Sequence, residues 1–134
     1  MPIITFDIIP ATVIWYFRMA DALRPDDLLP LPTAAFHILV ALADGDRHGY
    51  AIMQDIAERT GGGIRMSPGT LYGAISRLLE QGLISELPGH DDRRRSYRIT
   101  AFGRTVAAAE AKRMSELLRQ ARATGLVPKL KESR

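Results

Sequence analysis

The sequence predicts a mainly α-helical fold with a small β-hairpin wing, and two adjacent segments carry that prediction. Residues 67–81 have the start signal and apolar spacing of a helix whose outer face is small and polar. A turn follows, and the returning strand brings four arginines within the six residues Arg93 to Arg98. A helix that can enter a groove, next to a basic hairpin, is the layout of a winged helix-turn-helix DNA-binding domain.

Length, composition and charge limit the alternatives. With 134 residues and 46% hydrophobic content, the chain can bury one core and has little room for a second domain. A net charge of +3 permits a polyanionic partner without requiring one. The absence of cysteine excludes disulfides and thiolate metal sites, and it is compatible with the reducing cytoplasm, where we expect the protein to be located.

The chain is predicted to begin with an extension and linker, residues 1–32. The apolar stretch Ile3 to Phe17 is interrupted by an aspartate and a proline, and it lacks a basic start. It is also shorter than the ~20 apolar residues of a spanning helix, so we expect neither export nor membrane insertion. Because its composition differs from that of the following sequence, a further hypothesis is that translation begins at Met19 and that residues 1–18 are not native.

Two helices are predicted between residues 33 and 60. Thr33 is the expected N-cap of the first, and Asp44-Gly45 ends it. The second runs from about Tyr50 to Thr60, and a triple glycine that lacks the features of a phosphate loop then forms a turn. The expected core positions are Phe36, Leu39, Val40 and Ala43 in the first helix and Ile52, Met53 and Ile56 in the second.

The third helix has the clearest start signal, since Ser67 is a good N-cap and Pro68 suits the first helical position. Its inward positions are Leu71, Ile75, Leu78 and Leu79. Small side chains on the opposite face would let the backbone approach a groove floor. Tyr72, at the flank, either reaches a phosphate or lies between helices. The predicted DNA contacts of this helix are Ser67, Gly69, Thr70, Tyr72, Gly73, Ser76 and Arg77.

The hairpin that follows has strands at Leu83–Leu87 and Arg94–Ile99, with turn residues between them. Alternation places Tyr97 and Ile99 on the core. The predicted phosphate contacts of the wing are Arg93, Arg94 and Arg98. The alternative is a solvated edge strand whose charge only discourages pairing with another sheet.

One long helix is predicted from Ala101 to about Ala123, because the segment is alanine-rich and contains no proline. The division is then a DNA-binding domain at residues 33–100, a dimerisation helix at 101–124 and a flexible tail at 125–134. The alternative is that the long helix only covers the core of its own chain. The expected dimer seam consists of Ala107, Ala111, Met114, Leu117, Leu118 and Ala121.

Three motifs together resemble the PadR family of bacterial winged-helix transcriptional regulators. They are His48-Gly49-Tyr50, the run Ser67 to Tyr72, and the closing run Tyr97 to Gly103. The resemblance implies a cytoplasmic homodimer that binds a pseudo-palindromic operator, most often as a repressor and sometimes released by a small-molecule effector. Gly73 stands where the family often has proline, and the N-terminal extension has no counterpart in the family pattern.

Two other classes of protein agree less well with the sequence. An enzyme is not expected, because His37, His48 and His90 are dispersed and Ser67 has no evident catalytic partners; no catalytic residue, metal or cofactor is predicted. A winged-helix module that binds protein without DNA would carry an apolar or acidic outer face, which this chain lacks. For an effector pocket, the candidate neighbours are Phe36, Met114 and Leu118, although core packing explains all three.

Overall fold

The computed structural model describes residues 24–89 and 95–128. A 3-10 turn at Pro25–Leu28 comes first. Several predictions lie outside the described part: those about the N-terminal extension before this turn, the Met19 start, Arg93, Arg94 and the last residues of the tail. The mainly helical fold with a small hairpin is confirmed. Its elements are α1 (Thr33–Ala43), β1 (Arg47–His48), α2 (Gly49–Arg59), α3 (Pro68–Glu80), β2 (Ile84–Leu87), β3 (Ser96–Ile99) and α4 (Ala101–Ala123).

Helix α1 forms the centre of the core, and it differs from the prediction in its cap and its face. Pro32 occupies the N-cap position, so Thr33 is already helical and its side chain caps nothing. The face predicted through Val40 and Ala43 was wrong, because Ala43 is exposed and Val40 only half-buried. Because nearly every residue of α1 is apolar, periodicity could not select a face. The residues buried in α1 are Ala35, Ile38, Leu39, Ala41 and Leu42.

Helices α2 and α3 pack on α1 through the stripes that the sequence predicts. Ile52 and Ile56 of α2 are buried, and Met53 packs at the edge of the core. From α3, Leu71, Ile75 and Leu78 enter the same cluster. The glycine run after α2 forms the predicted turn, in which Gly61 and Gly62 adopt positive φ angles of 60° and 84°.

The strands form one antiparallel sheet in the order β1-β3-β2. Ile84 lies opposite Ile99 in the β2–β3 pair, and Arg47 lies opposite Tyr97 in the β1–β3 pair. Tyr97 and Ile99 are buried, as alternation predicts. Burial also raises the pKa of the Tyr97 phenol, with a contribution from the nearby Glu86 carboxylate. β1 is an additional strand that the sequence did not predict.

Helix α4 starts directly against the turn that follows α3. The Thr100 side chain caps it by accepting a hydrogen bond from the Gly103 N–H at 2.9 Å, and the Thr100 hydroxyl donates to the Gly82 carbonyl at 2.7 Å. Gly103 is buried against the Leu83 carbonyl, and a Cβ atom at this position would collide with that carbonyl. Only glycine therefore lets the first turn of α4 approach so closely.

Further along α4, Glu110 is a buried carboxylate, only 2% exposed. It accepts a hydrogen bond from the Leu31 N–H at 2.7 Å and forms an ion pair with Arg113. The hydrogen bond from Arg113 holds the pKa of Glu110 below its usual value, against the opposing effect of burial. Glu110 thereby fixes the segment that precedes α1 to the middle of α4.

Candidate nucleic-acid interface

The first turn of α3 is built as the sequence predicts. Ser67 is the N-cap, and its hydroxyl oxygen accepts a hydrogen bond from the Thr70 N–H at 3.2 Å. The two side-chain hydroxyls also lie 3.0 Å apart and hydrogen-bond to each other. Pro68 occupies the first helical position, where its missing N–H costs nothing. The start of α3 is thus fixed locally, and its positive dipole end is exposed beside Ser67 and Pro68.

The two faces of α3 differ sharply in burial. On the inner face Leu71, Ile75 and Leu78 are at most 2% exposed. Every predicted contact on the opposite face is exposed, and the side chains there are small apart from Tyr72 and Arg77. Within the described residues, no carboxylate lies within ion-pair distance of Arg77. We call this set the reading face; it comprises Gly69, Thr70, Tyr72, Gly73, Ser76 and Arg77.

Tyr72 lies at the edge of the reading face and also packs on α2. Its side chain is 47% exposed. The phenol lies over Gly49, where any added Cβ atom would collide with the Tyr72 hydroxyl. This contact favours the interhelical alternative, and a phosphate contact by Tyr72 stays a prediction.

A cleft of about 200 Å³ that sequence reasoning missed lies between the start of α1 and α3. Its walls include Thr70 and Arg77 of the reading face, and Pro32 and Ala34 from the other side. No local pattern could have indicated it, because it arises from the packing of two helices that are distant in sequence.

The wing arginines that the structure describes are both paired with carboxylates. Arg98 projects from the outer face of β3, as predicted, and binds Asp46 at 2.8 Å. Arg95 lies 3.3 Å from Glu86 on β2. Sequence reasoning missed Asp46, because its position opposite Arg98 depends on the two-residue strand β1, which is too short to show alternation.

The predicted dimer seam lies along α4. Met114, Leu117 and Leu118 are 36%, 51% and 40% exposed, and Ala111 is also exposed. Ala107 packs against the core, and Ala121 is half-buried. The second half of α4 therefore presents large apolar side chains that the described chain leaves uncovered. Phe36, the remaining neighbour of the hypothetical effector pocket, packs against the core.

Two further features of the described residues concern metal sites and membrane-spanning helices. Within residues 24–89 and 95–128, no group of three His, Asp or Glu side chains is arranged to hold a metal ion. In the same part of the chain, no helix combines the length and the apolar character needed to cross a membrane.

Helix α3 packed on α1 and α2, a three-stranded wing and a long terminal helix define a winged-helix protein of the transcription-regulator class. Residues 38–109, more than half of the chain, match the model of the Transcriptional regulator PadR-like family. The chain belongs to this family.

Two relatives are similar in sequence to more than half of the chain. A transcriptional regulator of Mycobacterium tuberculosis is 40% identical over 86 residues, which cover 63% of this chain and 78% of that protein. An uncharacterised 37.1 kDa transposon protein of Streptomyces fradiae is 41% identical over 80 residues, which cover 60% of this chain. The matched segment spans only 22% of the transposon protein.

Solved structures share the fold. A transcriptional regulator from Clostridium thermocellum superposes with a TM-score of 0.61 at 27% identity, covering 87% of this chain and 96% of that one. Bacillus subtilis PadR, solved in complex with operator DNA, superposes with a TM-score of 0.52 at 22% identity. That match covers 60% of this chain and 47% of the Bacillus protein.

Proposed function

We propose that this protein is a cytoplasmic transcriptional repressor that binds a pseudo-palindromic DNA operator as a homodimer. The observation that carries the proposal is the reading face: an exposed helix surface whose side chains are small apart from Tyr72 and Arg77, on a helix whose opposite side is buried. Such a face can approach base edges in a major groove. The operator complex of the Bacillus subtilis relative supports the same use of the fold.

In this proposal residues 33–100 bind DNA and residues 101–124 hold two copies together. Support for the second part comes from Met114, Leu117 and Leu118, because exposed apolar side chains along one helix favour burial against a partner. A two-fold operator needs two reading helices about one DNA turn apart, ~34 Å. A small-molecule effector that releases the DNA completes the proposal.

The test is fluorescence anisotropy with a labelled duplex from the region upstream of the protein's own gene, over a series of salt concentrations. The Arg77→Ala variant should weaken operator binding and change the preference among operator sequences, because Arg77 lies on the reading face. Lys112→Ala, on an exposed position of α4, is the control that removes the same charge away from that face. It should bind as the wild type does.

Two results would contradict the proposal. One is the absence of duplex binding by the wild-type protein even at low salt, which would favour a protein-interaction module instead. The other is an equal loss of binding in the Arg77→Ala and Lys112→Ala variants, since that would indicate charge alone rather than a reading face. Analytical ultracentrifugation tests the homodimer separately, and a monomer at micromolar concentration would refute it.

A further inference from the structure

Asp46 and Arg98 form a bidentate ion pair across the outer side of the sheet. The Arg98 Nη2 donates to Asp46 Oδ2 at 2.8 Å, and its Nε lies 3.1 Å from Oδ1. The register explains the contact: Arg47 pairs with Tyr97 in antiparallel strands, so the preceding residue lies opposite the following one. The residues are 52 positions apart in sequence, and the fold itself brings them together.

Each member of the pair stabilises the charged form of the other. The hydrogen bond from Arg98 lowers the pKa of Asp46, and the same bond raises the pKa of Arg98. Both groups are therefore charged at neutral pH, and the carboxylate occupies the Nε–Nη2 edge of the guanidinium, one of the two edges that can bind an oxyanion in a bidentate way. Arg98 cannot bind a DNA phosphate through this edge without leaving Asp46, and a phosphate at the other edge would lie close to the Asp46 carboxylate, whose negative charge opposes it.

We propose that Asp46 limits the affinity of the wing for DNA phosphates by competing for Arg98. The inference rests on the proposed function, since it assumes that the wing faces DNA. When Arg98 moves to a phosphate, the carboxylate is left near the negative backbone and takes up a cation from solution. The wild-type protein then releases fewer counterions on binding than the number of its phosphate contacts suggests.

The competition lowers the affinity for DNA of any sequence, because sequence-independent affinity depends almost entirely on phosphate contacts. A regulator must find its operator among many competing sites, so restraint of such contacts favours selective binding. Both carboxyl and guanidinium groups are partly exposed, at 39% and 58%, so the exchange is accessible and modest in size.

The test measures binding of the full-length protein to a labelled duplex of random sequence, between low and moderate salt. Asp46→Asn removes the charge with little change in shape. It should tighten binding by roughly 1.5- to 5-fold per subunit, the range expected for an exposed ion pair. The slope of log K against log salt should steepen by up to about 0.9 per subunit.

Asp44→Asn is the matched control. Asp44 lies in the same loop and is also exposed, but it pairs with Arg59 and Arg47 rather than with Arg98. It should leave the affinity and the salt slope close to those of the wild type. In an Arg98→Gln background, Asp46→Asn should change neither the affinity nor the salt slope, because there is no arginine left for which Asp46 and a phosphate compete. Thermal melts of all variants check that the fold is retained.

The outcomes separate this inference from the proposed function. Wild-type protein that binds no duplex refutes the proposed function and the inference with it. Wild-type binding with an unchanged or weaker Asp46→Asn variant refutes the inference alone. So does an equal gain from Asp44→Asn, which would indicate net charge, or a gain from Asp46→Asn that persists without Arg98.

Discussion

Removal of the buried carboxylate of Glu110 should destabilise the protein in a pH-dependent way. A hydrogen bond to an ionised group contributes about 1.5–3 kcal/mol, and a buried donor left without a partner costs a similar amount. Glu110→Ala leaves the Leu31 N–H in that state, so we expect a loss of about 3 kcal/mol in the free energy of unfolding at pH 7. Glu110→Gln keeps an oxygen acceptor but loses the charge, and it should lose about half as much.

The direction of the pH dependence follows from the lowered pKa of Glu110 in the folded state. A carboxyl group of this kind stabilises the fold fully above its unfolded pKa of about 4.3, and the contribution is lost as the pH falls through the folded value. The stability difference between wild type and Glu110→Gln should therefore be largest near neutral pH. It should shrink as the pH falls below about 4.3, where the carboxyl of the unfolded chain takes up a proton that the folded carboxyl does not yet bind.

Urea unfolding followed by circular dichroism, at fixed protein concentration and at pH 7 and pH 3, measures both quantities. Glu116→Gln is the matched control, because Glu116 also pairs with an arginine three residues ahead on α4 but is 53% exposed. Its unfolding midpoint at pH 7 should match that of the wild type. Two results would refute this prediction. One is a free energy of unfolding of Glu110→Ala equal to that of the wild type; the other is a difference in this free energy between the wild type and Glu110→Gln that is the same at both pH values.

Three further predictions concern other elements. Gly103→Ala should prevent normal folding, because its Cβ would collide with the Leu83 carbonyl; Gly73→Ala, at an exposed helical position, should melt no lower than the wild type. Ser67→Ala should lose about 1 kcal/mol of unfolding free energy, because the N-cap hydrogen bond of α3 disappears; an unchanged urea midpoint would contradict this. Leu118→Lys should shift the sedimentation coefficient of the proposed dimer toward that of a monomer while the melting of the protomer is retained; an unshifted dimer would exclude this residue from the seam.

Features that depend on local sequence could be predicted. The start of α3 follows from Ser67 and Pro68, since the N-cap hydrogen bond and the proline position involve only neighbouring residues. The inner face of α3 also follows, because its apolar residues recur on one side and its outer face is polar. Residues 101–123 form the expected helix for the same local reason.

Features that depend on contacts between distant segments could not be predicted. Which face of α1 is buried depends on the helices packed around it, because the helix is apolar on all sides and has no polar face that must stay in solvent. Ile38 is therefore buried, whereas Ala43, which was expected in the core, is exposed. The pairing of Asp46 with Arg98 requires the register of a sheet whose edge strand has only two residues. Nothing in the sequence distinguishes Glu110 from the other charged residues of α4, because only tertiary packing buries it.

The close seating of Gly103 on the Leu83 carbonyl affects how motion can pass through the molecule. With its first turn fixed there and the Arg104 guanidinium bound to the Ala43 carbonyl at 3.1 Å, α4 has little freedom to swivel at its base. Its 23 residues then form a lever about 35 Å long. A tilt of the protomer by about 5° displaces the far end of α4 by about 3 Å and turns α3 with it. In the proposed dimer, a rearrangement between two such helices would therefore change the separation of the two α3 helices directly.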